Sequence, residues 1–482
     1  TIQDPVLLSH LVQVKAKLAN MFQYQGAIEL NLPLLTPSTD IFKSPFSNLV
    51  IHNEAGFYKV PSHVIDPAGS LIELPSDLFM PFARFVAHNR IADMKRWAFE
   101  ISLSKTGPSG HPVQQIEAAF DIVHPSIISP VEAGIAEARV IKVAFDSAVC
   151  HLSLNPSVKL WIHLSSELLL RIVAKYCGVF ENQLPALQEL LSKTVGIPWI
   201  KRKNILISSL SLSHSICENL SKFSKPMTLE KIGLLLKQEL EFQQTLQKFT
   251  EIINHLDAFC LDINRILIDP FFVLPPLKYN GIFFGLCVAG EKKALQVLAV
   301  GGRYDLAIAA YAYPRPNQSS AVGFRLNISK LIQIKSSVEQ IRLLDVLIVF
   351  PGPGLINDVL SVVSECWSAS IKADFIMTSN ANPDYLHKMS KRLGVSLIVI
   401  LRDHASKGNF GTVRVRDIEK KQDTEVYRNE LIDTVTKMLH NEEENTTNVN
   451  AQQLEFEMSS TSNSQNYVKI HLITTSNTPS KM

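Results

Sequence analysis

The chain has 482 residues, a net charge of +2, and 46% apolar against 19% charged residues, which is enough for roughly two to four folded domains. That balance excludes a disordered, collagen-like or disulfide-scaffold chain. The near-neutral charge excludes a global field for nucleic acid or membrane, so any such surface is local.

In chain order, Leu7, Leu11, Val14, Leu18 and Met21 form one apolar stripe that predicts a helix ended by Gly26. An extended run over 27–30 follows, closed by Pro33. Alternating segments and turn residues over 57–73 suggest antiparallel hairpins. Residues 78–89 read as a helix, 96–104 and 115–122 as strands around Gly107-Pro108-Ser109-Gly110, and 130–149 as a helix. From about 160 to 265 the texture is helical, ending in a long amphipathic run over 228–268, which reads as an α-rich insertion. Strand character returns at 281–289 and 295–300. Residues 344–439 read strand, helix, strand, helix, strand, strand, helix, a separate α/β unit. The segment 441–466, rich in Glu, Asn, Thr, Gln and Ser, is expected to be a disordered linker, and 467–474 a strand of a further domain. A chain that starts at Thr1 without Met reads as a fragment.

Most catalytic signatures are missing. No G-x-x-x-x-G-K-[ST] loop and no G-x-S-x-G elbow occurs. Pro351-Gly352-Pro353-Gly354 sits between a strand and a helix, but Asn357 stands where a dinucleotide loop needs its third glycine, so it reads as a βα turn. Leu401-Arg402-Asp403-His404 with Asn409 echoes a kinase catalytic loop at the wrong spacing, and the other kinase elements are missing. The histidines show no ligand spacing, so no metal site is expected. Six scattered cysteines without a C-x-x-C pair fit the reduced thiols of a cytoplasmic protein. The longest apolar stretches, 344–350 and 395–401, are far short of the ~20 residues of a spanning helix.

The informative segment is Gly301-Gly302-Arg303-Tyr304-Asp305. Alone it reads as a β-bulge with a surface ion pair. Followed by Ala321-Val322-Gly323-Phe324, it resembles the carboxyl half of the histidyl-tRNA synthetase catalytic domain. Leu74-Pro75-Ser76-Asp77-Leu78, Pro81-Phe82-Ala83-Arg84, Lys95-Arg96-Trp97, Ala119-Phe120-Asp121 and Asn280-Gly281-Ile282 narrow the match. Together they resemble the synthetase-like region of the general-control, amino-acid-starvation protein kinases, which phosphorylate the alpha subunit of translation initiation factor 2. The resemblance covers 7–439. It implies an α+β fold: a class II synthetase-like antiparallel sheet flanked by helices over 1–340, then an anticodon-binding-like α/β domain over 344–440, with 441–482 beyond it.

Amino-acid activation sets ATP phosphate charge against a carboxylate and needs preorganised cations. The resemblance places the arginine of the second class II motif on Ser104, that of the third on Lys330, and the arginine of the histidine-recognition stretch on Leu274. Each lost charge-assisted contact costs about 2–4 kcal/mol in the transition state, so three together abolish turnover. Gly301, Gly302, Arg303, Tyr304, Asp305 and Gly323 are retained. They read either as a pocket for an adenosine-like or tRNA-terminal group, or as structural support with Asp305 pairing Arg303.

The expected function is a regulatory module that binds uncharged tRNA, dimerises, and signals to a serine/threonine kinase domain of the same parent chain, with the ribosome as a further partner. ATP and magnesium are expected only for that kinase domain, and no cofactor for this chain. The alternatives are an active histidyl-tRNA synthetase and a dimerisation scaffold without tRNA affinity. Dimerisation is expected to use the stripe Leu7, Leu11, Val14, Leu18 and Met21. For tRNA, residues 388–428 carry about ten Lys and Arg against five Asp and Glu. Lys388, Lys391 and Arg392 share a helical segment, Arg414 and Arg416 share one face of a strand, and Lys420 and Lys421 follow in a turn.

Overall fold

The computed structural model describes residues 5–439, apart from short gaps and the longer segments 38–62, 106–111, 126–133, 153–157, 275–278, 290–294, 313–318, 335–343, 379–384 and 402–410. The chain divides into two compact units, Thr1–Glu339 and Gln340–Met482. The expected segments 441–466 and 467–474 lie outside the described residues.

The first unit is built on an eight-stranded sheet of order β1-β5-β6-β11-β10-β9-β7-β8. Its strands are β1 (Ile28–Glu29), β5 (Met94–Lys105), β6 (Pro112–Pro125), β7 (Lys159–Ser166), β8 (Ile266–Ile268), β9 (Asn280–Ala289), β10 (Gln296–Arg303) and β11 (Ser319–Asn327). Most neighbours run antiparallel; β1 with β5 and β7 with β8 are parallel. A separate three-stranded sheet holds β2 (Thr36–Pro37), β3 (His63–Ile65) and β4 (Leu71–Glu73). Strand alternation sends successive side chains to opposite faces, and each face of the large sheet builds its own core. On one face Trp97, Phe120, Phe324 and Leu326 join α1 (Pro5–Tyr24) and α3 (Ile135–Leu152). On the other, Val123, Phe283, Val300 and Ala321 join α2 (Phe79–Asn89) and α10 (Asp305–Ala312).

The insertion leaves the sheet at β7 and returns at β8 beside it. Between them run α4 (Glu167–Tyr176), α5 (Leu184–Lys193), α6 (Trp199–Leu210), α7 (His214–Ser221), α8 (Leu229–Leu235) and α9 (Leu240–Ala258). Ser166, Ser213 and Thr228 cap α4, α7 and α8 by accepting from backbone N–H groups one turn on. The single amphipathic run expected over 228–268 is therefore two helices and a strand. Ile266–Ile268 pairs with Ile162–Leu164, so sheet pairing overrides helical periodicity there.

The α1 stripe needs a correction. Leu11, Val14 and Leu18 are buried within their own chain, Leu18 to 1% exposure, and Leu7 and Met21 are half-buried. Leu11, Val14, Leu18 and Met21 share one core cluster with the sheet and α3, so the stripe from Leu11 to Met21 is spent within the chain and is not available as a dimer interface. Among the described residues, the large apolar side chains that α1 and β1 leave exposed are Leu8, Val12, Tyr24 and Ile28.

The second unit carries a five-stranded sheet of order β13-β12-β14-β15-β16. Its elements are β12 (Val346–Phe350), α12 (Ile356–Ser368), β13 (Ala373–Met377), β14 (Leu397–Ile400), β15 (Thr412–Asp417), β16 (Gln422–Tyr427) and a closing helix over 431–439. Three strands precede that helix where two were expected. The Pro351–Gly354 turn opens α12 through a short 3-10 helix, Pro353–Leu355.

Candidate functional site

The face of the large sheet covered by α2 and α10 carries a buried ionic cluster. Arg96, Asp121 and Gly323 stand on neighbouring strands β5, β6 and β11, Arg96 and Gly323 both in register with Asp121. Arg96 Nε donates to Asp121 Oδ2 at 2.9 Å, and Arg325 Nη1 donates to Asp121 Oδ1 at 3.0 Å. The Tyr304 hydroxyl donates to the same Oδ1 at 2.8 Å. A Cβ at residue 323 would come 2.0 Å from that oxygen, so only glycine leaves the carboxylate room. Phe82 lies over the Arg96 guanidinium, its ring centre 4.0 Å away.

Charge compensation holds the cluster. Burial works against the Arg325 cation, and Asp121 more than restores it, raising the pKa. Burial, with Asp121 beside it, pushes the Tyr304 phenol well up, so it acts as a neutral donor. Burial raises the Glu100 carboxyl even though Arg96 Nη1 bonds it at 3.1 Å. Arg325 and Asp121 went unassigned in the sequence reading. The available signal was a charge between Phe324 and Leu326 in a strand that is buried throughout.

Gly301, Gly302, Arg303, Tyr304, Asp305 and Gly323 come together around this cluster. Gly301 and Gly302 sit where β10 crowds its neighbours: Cβ atoms there would meet Gly323 O at 2.5 Å and Phe283 Cβ at 2.7 Å. The ladder slips between Gly302 and Arg303, a bulge that turns Arg303 towards α3. There its Nη2 and Nε bond Glu137 at 2.7 and 2.9 Å, and Nη1 reaches Asp305 Oδ2 at 3.3 Å. Asp305 Oδ1 accepts from Ala321 N at 2.9 Å. Arg303 is therefore shared between Asp305 and Glu137.

The three positions that the resemblance assigns to arginines have different surroundings. Leu274 is buried in an apolar cluster with Phe79, Phe272, Tyr279, Phe283 and Tyr304. Phe79 stacks on Tyr279 and meets Tyr304 edge-on, at 5.0 and 5.1 Å. The Phe272 ring lies against Gly285, where a Cβ would come 2.1 Å from it. Lys330 is half-buried in α11 (Ile328–Leu331), whose first turn is capped by Asn327 accepting from Lys330 N. Ser104 pairs with Val113 near the end of β5.

The comparisons place this geometry. A histidyl-tRNA synthetase from Nostoc sp. PCC 7120 superposes with a TM-score of 0.67 over 90% of this chain and 96% of its own, at 12% identity. The fold is that of a class II synthetase. Human eIF-2-alpha kinase GCN2 is 26% identical over 87% of the chain, and the zebrafish (Danio rerio) histidine–tRNA ligase 22% over 77%. This chain is a histidyl-tRNA-synthetase-like region homologous to part of the GCN2 kinases. It spans about a quarter of the length of the human, rat and mouse kinases it matches. The match to the zebrafish ligase covers 76% of that protein. Residues 340–481 match the family described as the anticodon binding domain of tRNAs.

In that second unit of the synthetase-like region, Arg414 and Arg416 do share a face. The neighbouring strand sets acidic residues opposite them, Arg414 facing Glu425 and Arg416 facing Asp423. Arg416 binds both Asp423 oxygens at 2.6 and 2.8 Å, and Arg414 reaches Asp423 and Glu425 at 3.5 Å. Lys420 Nζ lies 3.1 Å from Asp417. Lys388 is exposed, and Lys391, Arg392 and Lys421 lie outside the described residues. Among the described residues, Arg414, Arg416 and Lys420 are each met by a carboxylate. Among the described residues no group of His, Cys, Asp and Glu stands together as a metal site, and no helix is long and apolar enough to cross a membrane.

Proposed function

We propose that this synthetase-like region is catalytically silent, binds uncharged tRNA, forms a homodimer, and controls a serine/threonine kinase domain of the same parent chain in the cytoplasm. It uses no cofactor of its own. The homology to the GCN2 kinases supports the regulatory role, and the anticodon-binding family match supports tRNA as the partner.

The observation that carries catalytic silence is Leu274. The position that the resemblance assigns to a catalytic arginine is a leucine buried at 4% exposure among aromatic rings. Such a site offers no cation to a developing phosphate charge, and lysine at 330 does not make arginine's bidentate fork. The Phe272 ring packs against Gly285, and the Asp121 cluster is buried within this face of the sheet.

Dimerisation follows from the exposed side of α1 and the edge strand β1. Tyr24 is 86% and Val12 66% exposed, and among the described residues β1 pairs on one side only, leaving backbone groups for a second copy. A homodimer interface of this kind buries ~2,000 Å² or more.

The test is equilibrium binding of one tRNA to the whole chain, uncharged and aminoacylated. The reading expects tighter binding of the uncharged form and weakening as salt rises. Equal affinity for both forms, or none, would remove the sensing role.

A further inference from the structure

We propose that the cleft between α1 and α3 binds a phosphate group that keeps an ionisable hydroxyl, as inorganic phosphate or the end of a phosphate monoester. The cleft lies on the face of the sheet opposite the Asp121 cluster and does not rest on the synthetase-like reading. His10, Gln13 and Lys17 line it from α1, Ser147, Cys150 and His151 from α3, with Val14 and Leu18 at its apolar wall. It encloses about 350 Å³ including its open mouth.

His151 sets the chemistry. The residue is 8% exposed, and its Nε2 is buried without a hydrogen-bond partner. The ring bonds the backbone carbonyl of Leu331, which employs the other nitrogen as the donor. In that tautomer Nε2 offers a lone pair and no proton. Burial first, then His10 and Lys17, lower the His151 pKa to about 4, so the ring is neutral at pH 7. The His10 ring stands 4.6 Å from it. Among the described residues no carboxylate lines the cleft.

The site therefore joins a cationic wall to a buried acceptor. A sulfate or a phosphodiester is acceptor-only at neutral pH and would set its oxygen lone pairs against that of Nε2. A metal ion is opposed by the Lys17 ammonium. Hydrogen phosphate satisfies both demands: its P–OH donates to Nε2 while its charged oxygens accept from Lys17 and the Gln13 amide. The cleft as it stands has room for about one water-sized group, which suits a single hydroxyl entering it while the other oxygens stay outside.

The test is calorimetric titration of the whole chain at pH 7 and fixed ionic strength with inorganic phosphate, sulfate, AMP and the diester ApA. Phosphate is expected to bind at least tenfold more tightly than sulfate, because a site built to accept from a hydroxyl discriminates against an analogue lacking it. ApA is expected to show no binding here. AMP binding alongside phosphate identifies a monoester end, and phosphate alone the free anion. His151→Phe keeps a ring but removes the lone pair, and should abolish the preference for phosphate over sulfate. Lys17→Gln, a change at an exposed residue that leaves the fold intact, should weaken phosphate at least threefold. Equal binding of phosphate and sulfate by the unaltered chain, no phosphate binding, or a preference that survives His151→Phe would overturn the proposal.

Discussion

Asp121 and Arg325, 204 positions apart in sequence, form a buried ion pair of 3.0 Å on adjacent strands of the large sheet. With Arg96 on its other oxygen, Asp121 is, among the described residues, the one carboxylate to which both guanidinium groups bond. Asp121→Asn takes the carboxylate from the buried Arg325 cation and leaves Arg96 with Glu100 alone. The expected loss is about 3–5 kcal/mol of unfolding free energy, read from urea denaturation. Arg325→Met, which removes one cation and keeps the volume, should cost clearly less. Equal losses in the two variants would show that packing, not charge, governs the site.

His151 predicts a pH dependence with a definite sign. Its folded pKa is about 4 against an ordinary value of 6.5, so the unfolded chain takes up the proton first. The stability this residue contributes is complete above about pH 6.5, falls as pH drops towards 4, and changes no further below that. The expected loss is on the order of 2 kcal/mol after allowing for solvent screening. The check is the urea midpoint of the unaltered chain and of His151→Gln between pH 7.5 and 4. The variant should lose less than the unaltered chain across that window.

The helical periods and the strands expected at 281–289 and 295–300 were legible because hydrophobic spacing is local. What escaped was everything set by partners distant in sequence. The Leu11, Val14 and Leu18 stripe announces burial but not the surface it is buried against, and that surface is the chain's own sheet. Arg303 pairs with Asp305 two residues on, a contact visible from spacing, while its shorter bonds go to Glu137, 166 positions away. A strand pattern put Arg414 and Arg416 on one face correctly, yet it gave no sign of Asp423 and Glu425 opposite them.

Those carboxylates set an expectation for RNA. If the β15–β16 face contacts tRNA, Asp423→Asn with Glu425→Gln releases two guanidinium groups for phosphates. Affinity should rise, and the dependence of log affinity on log salt should steepen by up to about two. Fluorescence anisotropy with labelled tRNA at several salt concentrations measures both. No change in either would place the RNA contact elsewhere.

The dimer prediction now concerns the exposed side of α1 and β1. Val12→Asp with Ile28→Asp introduces charges at positions 66% and 56% exposed in the chain, so the fold should tolerate them. Sedimentation should find a dimer for the unaltered chain at micromolar concentration and a 53.8 kDa monomer for the variant. A monomer in both cases would rule out the interface and the assembly together.

Catalytic silence is tested most directly by histidine-dependent ATP–pyrophosphate exchange on the unaltered chain. Leu274 is buried in one cluster with Phe79, Phe272 and Tyr279, and if it, Lys330 and Ser104 hold the three arginine positions that the resemblance assigns to them, each missing contact costs about 2–4 kcal/mol. The account predicts exchange no faster than in a heat-inactivated control. Exchange that rises with histidine concentration and saturates would contradict it.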